Sequence, residues 1–135
     1  MLTEKWGIFS DAQAITGSGA SDSSSTLDTE VAGSNIGGGT PIWLVVRVNT
    51  TFTCATSGTM YATLQNCATS NGTYLDMLRS ATYTVGSLVK GLDVLTVPLT
   101  VDNLRYLKVL YTNAVGSGMT AGNFDAFLSL NAPRN

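Results

Sequence analysis

The groups in this chain that could carry out covalent chemistry are nine carboxylates and two cysteines, set among many hydroxyls, with no histidine in 135 residues. The missing imidazole removes the commonest general base, the commonest transition-metal ligand and the usual switch near physiological pH. A serine or cysteine nucleophile would therefore lack its base, and no Gly-x-Ser-x-Gly elbow is present. Asp28 and Glu30 form the only close carboxylate pair, two residues apart and so on one face of a strand. A glycosidase needs such a pair across a cleft, with one member held protonated, and spacing alone does not supply that. The pair reads as solvated loop charges. Gly17-Ser18-Gly19 lacks the third glycine and the Lys-Ser/Thr that a phosphate loop requires. The expectation is a non-enzyme with no catalytic residue, no cofactor and no metal.

Cys54 and Cys67 could pair in principle. Reading the intervening residues as a hairpin turning at Ser57-Gly58 puts Phe52 opposite Met60, Val48 opposite Leu64 and Cys67 opposite Val45. The two thiols then lie roughly 30 Å apart along the strand, beyond disulfide reach. Two thiolates without histidine also leave a zinc site unfilled. Two free thiols are expected.

The elements that must position everything else are strands. Ile42, Leu44, Val46, Val48 and Phe52 alternate with Trp43, Val45, Arg47, Asn49 and Thr51, which predicts a strand over 41–53 with its even positions in the core. Met60, Ala62 and Leu64 continue the inner face on the returning strand, while Tyr61, Thr63 and Gln65 point outward. Asn71-Gly72 marks the next reversal. Shorter strands are predicted over 9–15, 26–28, 74–83, 92–97, 104–112 and 124–130, with Pro98 cutting a ladder. No long helical period appears. A single antiparallel β-sandwich of about eight strands, an all-β fold of jelly-roll type, is the most economical arrangement. Residues 1–9 read as an amino-terminal arm carrying Leu2, Trp6 and Phe9, and 10–135 as the jelly-roll domain.

Seven basic and nine acidic residues give a net charge of −2, and no Lys/Arg cluster offers a footprint for nucleic acid. No apolar run approaches the length of a membrane span, and the opening residues lack the pattern of a secretory signal. Only 12% of the residues are charged, fewer than a lone small domain normally spreads over its surface, which points to an exterior partly covered by other protein. Aromatic residues on an outward strand face suit a protein interface or, alternatively, a carbohydrate platform. Trp43, Arg47, Tyr61 and Gln65, all on the odd face of the predicted hairpin, are the candidate contacts, with Leu2, Trp6 and Phe9 as a second group on the arm.

Phe9-Ser10-Asp11-Ala12-Gln13-Ala14-Ile15-Thr16 resembles the opening of a family of small tailed-phage capsid cement, or decoration, proteins. The likeness recurs in order through Gly37-Gly38-Gly39-Thr40-Pro41-Ile42-Trp43-Leu44-Val45-Val46-Arg47-Val48, Ala62-Thr63-Leu64-Gln65, Leu88-Val89-Lys90-Gly91, Arg105-Tyr106-Leu107-Lys108 through Tyr111, and Thr120 to Leu128. The resemblance covers roughly Phe9 to Leu130. It implies a jelly roll on the outer surface of the virion capsid, bound to the major capsid protein and bridging neighbouring capsomers as a homodimer, with a trimer as the other option. The runner-up is a carbohydrate-binding jelly roll that attaches to a host surface.

Overall fold

Alternating apolar residues with turn-forming clusters between them build ten strands in the computed structural model, which describes residues 8–16, 19–28, 42–54, 58–99, 104–115 and 119–129. These are β1 (Ile8–Ala14), β2 (Gly19–Asp22), β3 (Leu27–Asp28), β4 (Trp43–Cys54), β5 (Gly58–Cys67), β6 (Leu75–Arg79), β7 (Tyr83–Thr84), β8 (Asp93–Pro98), β9 (Tyr106–Val115) and β10 (Met119–Ser129), with one 3₁₀ turn at Val85–Ser87. They form two antiparallel sheets. The first runs β1-β10-β4-β8 and the second β2-β9-β5-β6, with β3 added to β9 and β7 to β5. Leaving aside the two-residue strands β3 and β7, the first sheet holds the first, eighth, third and sixth strands of the chain and the second sheet holds the second, seventh, fourth and fifth. That is the strand order of a jelly roll, the expected fold class. Among the described residues no helix is long and apolar enough to cross a membrane.

The predicted hairpin between β4 and β5 is not formed. β4 pairs with β10 and β8, whereas β5 pairs with β9, β6 and β7. The chain crosses from one sheet to the other between them. The reason lies in the pattern itself: even residues face inward on both strands, and both sheets of a sandwich present their inner faces to one core. Alternation is therefore the same whether two strands lie side by side or opposite one another. The true neighbours come from far along the chain, with Met60 opposite Asn113 and Leu64 opposite Val109. The conclusion about the thiols survives on different geometry. Cys54 sits beside Met119 at one end of the sandwich, Cys67 beside Tyr106 at the other end of β5, and they are not bridged to each other. The reversal at Asn71-Gly72 does join a hairpin, between β5 and β6.

The core runs between the sheets through Leu44, Val46, Val48 and Phe52 of β4, Met60, Ala62 and Leu64 of β5, Leu107, Val109 and Tyr111 of β9, and Phe124, Ala126 and Leu128 of β10. Phe9 belongs to it as well, at 1% exposure in β1. The boundary expected after residue 9 is thus set too late, because Ile8 already pairs with Phe127 in the first sheet. Phe9 is unavailable as a surface contact, since its side chain points between the sheets. Leu2 and Trp6, the other arm residues, lie outside the described residues.

An aromatic cluster holds the sheets together. Tyr111 of β9 stacks on Phe124 of β10 with ring centroids 4.8 Å apart, and Phe124 meets Phe52 of β4 at 4.7 Å. Tyr111 donates its phenol proton to Ser10 Oγ at 2.8 Å, and Ser10 donates in turn to Gln13 Oε1 at 2.6 Å. Gln13 also takes the backbone N–H of Ser24 and donates to the carbonyl of Asp22, so a polar chain that starts at the buried Tyr111 phenol and ends at the surface ties β1 to the end of β2. Gly122 makes room for the cluster. Its φ is +132°, and a Cβ there would stand 2.2 Å from Phe52 Cδ1.

Gly122→Ala is expected to lower stability by about 2–4 kcal/mol, from backbone strain and a clash with a packed ring together. Gly86→Ala, where a Cβ would meet nothing within 4 Å, should change it by less than about 0.5 kcal/mol. Urea denaturation of both variants checks the contrast. Burial raises the Tyr111 phenol above its ordinary value of 10.0, so the folded protein keeps this proton after the unfolded chain has lost it. The stability this contributes is complete below about pH 10 and falls above it by up to about 1.4 kcal/mol per pH unit. Tyr111→Phe should cost about 0.5–1.5 kcal/mol at neutral pH and remove that part of the alkaline decline, as read from denaturation midpoints across about pH 8–11.

Candidate functional site

The four sheet residues singled out from the sequence fall on two opposite surfaces. Trp43 and Arg47 lie on the outward face of the first sheet, and Tyr61 and Gln65 on the outward face of the second, because β4 and β5 belong to different sheets. Each pair has its own neighbourhood.

On the first sheet, strand register lines up two rows across the outward face. Ile8, Phe127, Val45 and Thr96 make one. Asp125, Arg47 and Asp93 make the next. Val45 and Phe127 are buried although they stand outside the central core, so this face carries a small apolar layer of its own. Arg47 grips Asp93 with two hydrogen bonds, Nε to Oδ1 at 2.6 Å and Nη2 to Oδ2 at 3.2 Å, and its guanidinium carbon lies 5.6 Å from the centre of the Phe127 ring. The hydrogen bonding that Arg47 donates to Asp93 raises the Arg47 pKa despite partial burial, with the charges of Asp93 and Asp125 adding to it. Asp125 is occupied too. Its Oδ1 takes the backbone N–H of Ala12 at 2.7 Å and its Oδ2 the amide of Asn49 at 2.9 Å. The Ala12 bond fixes a residue with φ of +49°, where β1 is bulged. Two carboxylates flanking one arginine, each already hydrogen-bonded, make a clamp across strands rather than an acid and base pair.

On the second sheet, cations cover aromatic rings. The Arg79 guanidinium carbon lies 3.6 Å from the Tyr61 ring centre and Lys108 Nζ lies 4.2 Å from that of Tyr74. Lys108 also pairs with Asp22 at 2.9 Å. Arg105 holds Asp28 through two hydrogen bonds of 2.8 and 3.0 Å and lies 5.1 Å from the Tyr106 ring centre. Asp28 is therefore one half of an ion pair, and its sequence neighbour Glu30 lies outside the described residues. Gln65, on the outward face but only 8% exposed, donates to Asp76 at 2.7 Å, so its amide is engaged in positioning β6. Burial raises the Tyr74 phenol pKa. Arg79 and Lys108 thus each cover one ring face, of Tyr61 and Tyr74 respectively.

Sequence reasoning named Arg47, Trp43 and Tyr61 but missed what they work with. Asp93, Asp125, Arg79 and Lys108 are recognisable only once β8, β10, β6 and β9 are known to be neighbours. Among the described residues no group of three or more His, Cys, Asp or Glu side chains is placed to hold a metal ion. An open cleft of about 630 Å³ between Phe52, Cys54, Thr59 and Val85 contains neither carboxylate nor base among its described lining residues.

Asp93 is 1% exposed at its side chain and Arg47 36%. Asp93→Asn is expected to destabilise the fold by about 1–3 kcal/mol, since an arginine is left without its charge partner against a buried amide. Asp28→Asn, where both partners are two-fifths exposed, should cost no more than about 1 kcal/mol. Denaturation midpoints at low salt compare the two.

Comparison with known proteins adds a family to this geometry. A protein-family model, Bbp16, matches residues 9–128, and no curated protein matches the sequence. The matched span runs from the first buried aromatic of β1 to the last buried leucine of β10, nearly the whole sandwich, and on that ground the chain belongs to the phage-associated Bbp16 family.

Proposed function

We propose that this protein is a capsid cement protein: a homodimer on the outer surface of a phage head that binds the major capsid protein and bridges neighbouring capsomers, with no catalytic role. The observation that carries this reading is the match to a phage-associated family over residues 9–128, joined to the ordered resemblance of the sequence to cement proteins. The surface supports it. Arg47, Arg105 and Lys108 each hold a carboxylate, and Arg79 caps a tyrosine. Such a surface is nearly neutral, rich in arginine and tyrosine, and already ordered before it meets a partner, which suits contact with protein. Trp43 and Tyr61, on opposite outward faces, are the residues through which the two sides would be read.

Mass action explains how such a body stabilises a shell. A ligand that binds assembled neighbours but not separated ones shifts the balance toward assembly, and many weak copies sum to a large effect. Purified protein incubated with undecorated mature shells is expected to co-sediment saturably and to raise the temperature at which the shells disrupt. Trp43→Ala and Tyr61→Ala tested separately would tell whether each face meets the shell, since a variant on a contacting face should bind at least about tenfold more weakly. Folded protein that fails to bind shells at any concentration overturns the proposal, and glycan binding by that same protein would replace it with the host-attachment reading.

A further inference from the structure

Five asparagines fall among the described residues, and four of them lie inside strands. Asn49 is in β4, Asn66 in β5, Asn113 in β9 and Asn123 in β10. Asn66 and Asn113 are buried, and the Asn49 amide is bound to Asp125. Asn71 is placed differently. It stands in the exposed run 68–73 that turns β5 into β6, and it is followed by glycine, the only Asn-Gly step in the sequence.

The amide carbon of an asparagine side chain can be attacked by the backbone nitrogen of the next residue. At this step a bond from Gly72 N to Asn71 Cγ forms, the Cγ–Nδ2 bond breaks, and the proton of the Gly72 N–H passes through solvent to the departing ammonia. The product is a cyclic imide. Water opens it at either carbonyl, leaving aspartate at 71 or an isoaspartyl link in which the chain runs through Cβ and Cγ of that residue. To attack, the nitrogen must swing onto the side chain, a rotation that paired strands resist and an exposed turn permits. Gly72 favours it in two ways. Lacking a Cβ, it leaves the nitrogen unshielded and the backbone freer to turn. Its N–H reaches the Thr69 carbonyl only at 3.4 Å, longer than the roughly 2.7–3.2 Å of an ordinary amide hydrogen bond.

The same glycine covers a thiol. Cys67 is 6% exposed, and a Cβ built on Gly72 would stand 2.6 Å from its sulfur and 2.5 Å from Thr69 Oγ1, so the Gly72 backbone lies directly against the Cys67 side chain. Thr69 Oγ1 is itself 4.0 Å from that sulfur. An isoaspartyl link inserts an extra backbone atom between residues 71 and 72, and a turn packed this closely has no slack to absorb it. We infer that Asn71 is a site of spontaneous deamidation and that its isoaspartyl product lifts the 68–73 turn off the Cys67 thiol. The reaction needs only water and is independent of the cement reading, since no part of it involves a shell.

The purified full chain, kept folded and reduced in neutral buffer over weeks, is to be digested and read by fragment-ion mass spectrometry. Residue 71 is expected to gain the mass difference between an amide and an acid and to accept methyl groups from an isoaspartyl methyltransferase, while Asn49, Asn66, Asn113 and Asn123 keep their amides. Asn71→Gln, at an exposed position, should fold as the wild type does and lose both signals. Maleimide should label Cys67 several-fold faster in aged wild-type protein than in equally aged Asn71→Gln, because reaction at a thiol follows its access. Fresh Asn71→Asp supplies the new charge without the extra backbone atom and should label as slowly as Asn71→Gln. Chain held in denaturant gives the rate at residue 71 free of the fold. A folded chain that keeps its Asn71 amide while the denatured chain converts, or strand asparagines that convert as fast as Asn71, would overturn the site. Conversion at residue 71 with Cys67 labelling unmoved, or speeded equally by Asn71→Asp, would overturn the uncovering of the thiol.

Discussion

Everything on the surface of this molecule depends on one buried contact, the flat stacking of Tyr111 from one sheet on Phe124 from the other. Aromatic packing of this kind is directional, so it sets how the sheets lie against each other as well as how far apart they stand. Phe52 completes the cluster from β4, and Gly122 gives it space by having no side chain. The phenol reaches past the ring stack to Ser10, so the strand at the sheet edge is tied to the same point. A polar group placed there would be costly if unpaired, and the pairing through Ser10 and Gln13 turns that cost into a constraint on β1.

From this centre the outward faces inherit their order. β10 carries Phe124 inward and Asp125 outward, and β4 carries Phe52 and Val48 inward with Arg47 outward. Fixing the inner residues therefore fixes the register in which Asp125, Arg47 and Asp93 meet. The second sheet works the same way, with Tyr111 inward on β9 and Lys108 outward, next to Gln65 of β5. Rigid strands hold charged and aromatic groups in one geometry before any partner arrives, which lowers the entropy that binding must overcome. Cement function, as proposed, needs that property more than it needs any single reactive group.

Much of the fold was legible in the sequence and some of it was not, for a physical reason. The two-residue period announced every long strand, and the even residues of β4 and β5 are the core residues it named. What period two cannot carry is partnership. A strand with an apolar face looks alike whether its neighbour in sequence lies beside it or across the core, and that degeneracy produced the hairpin that β4 and β5 do not form. The jelly-roll order came from economy of strand number and from resemblance, and neither supplied the individual pairings. Phe9 went astray for a related reason: three apolar residues near a terminus look the same as an arm and as the first turn of chain into a sheet. The thiols were placed correctly on a wrong register, because either geometry leaves the length of β5 between them.

The candidate site was legible as residues but not as a place. Arg47, Trp43 and Tyr61 stood out by type and by face, yet the pairing of each charged or aromatic group depends on strands 46 or 77 positions away, as with Asp93 for Arg47 and Arg105 for Asp28. Splitting the four sheet residues between two outward faces also changes what they imply. Contacts gathered on one face describe a plaque that lies flat on its partner. Contacts on both faces describe a body with two sides to satisfy, and bridging requires two sides. Long-range pairing, invisible in the sequence, is therefore what gives the proposed bridging its geometry.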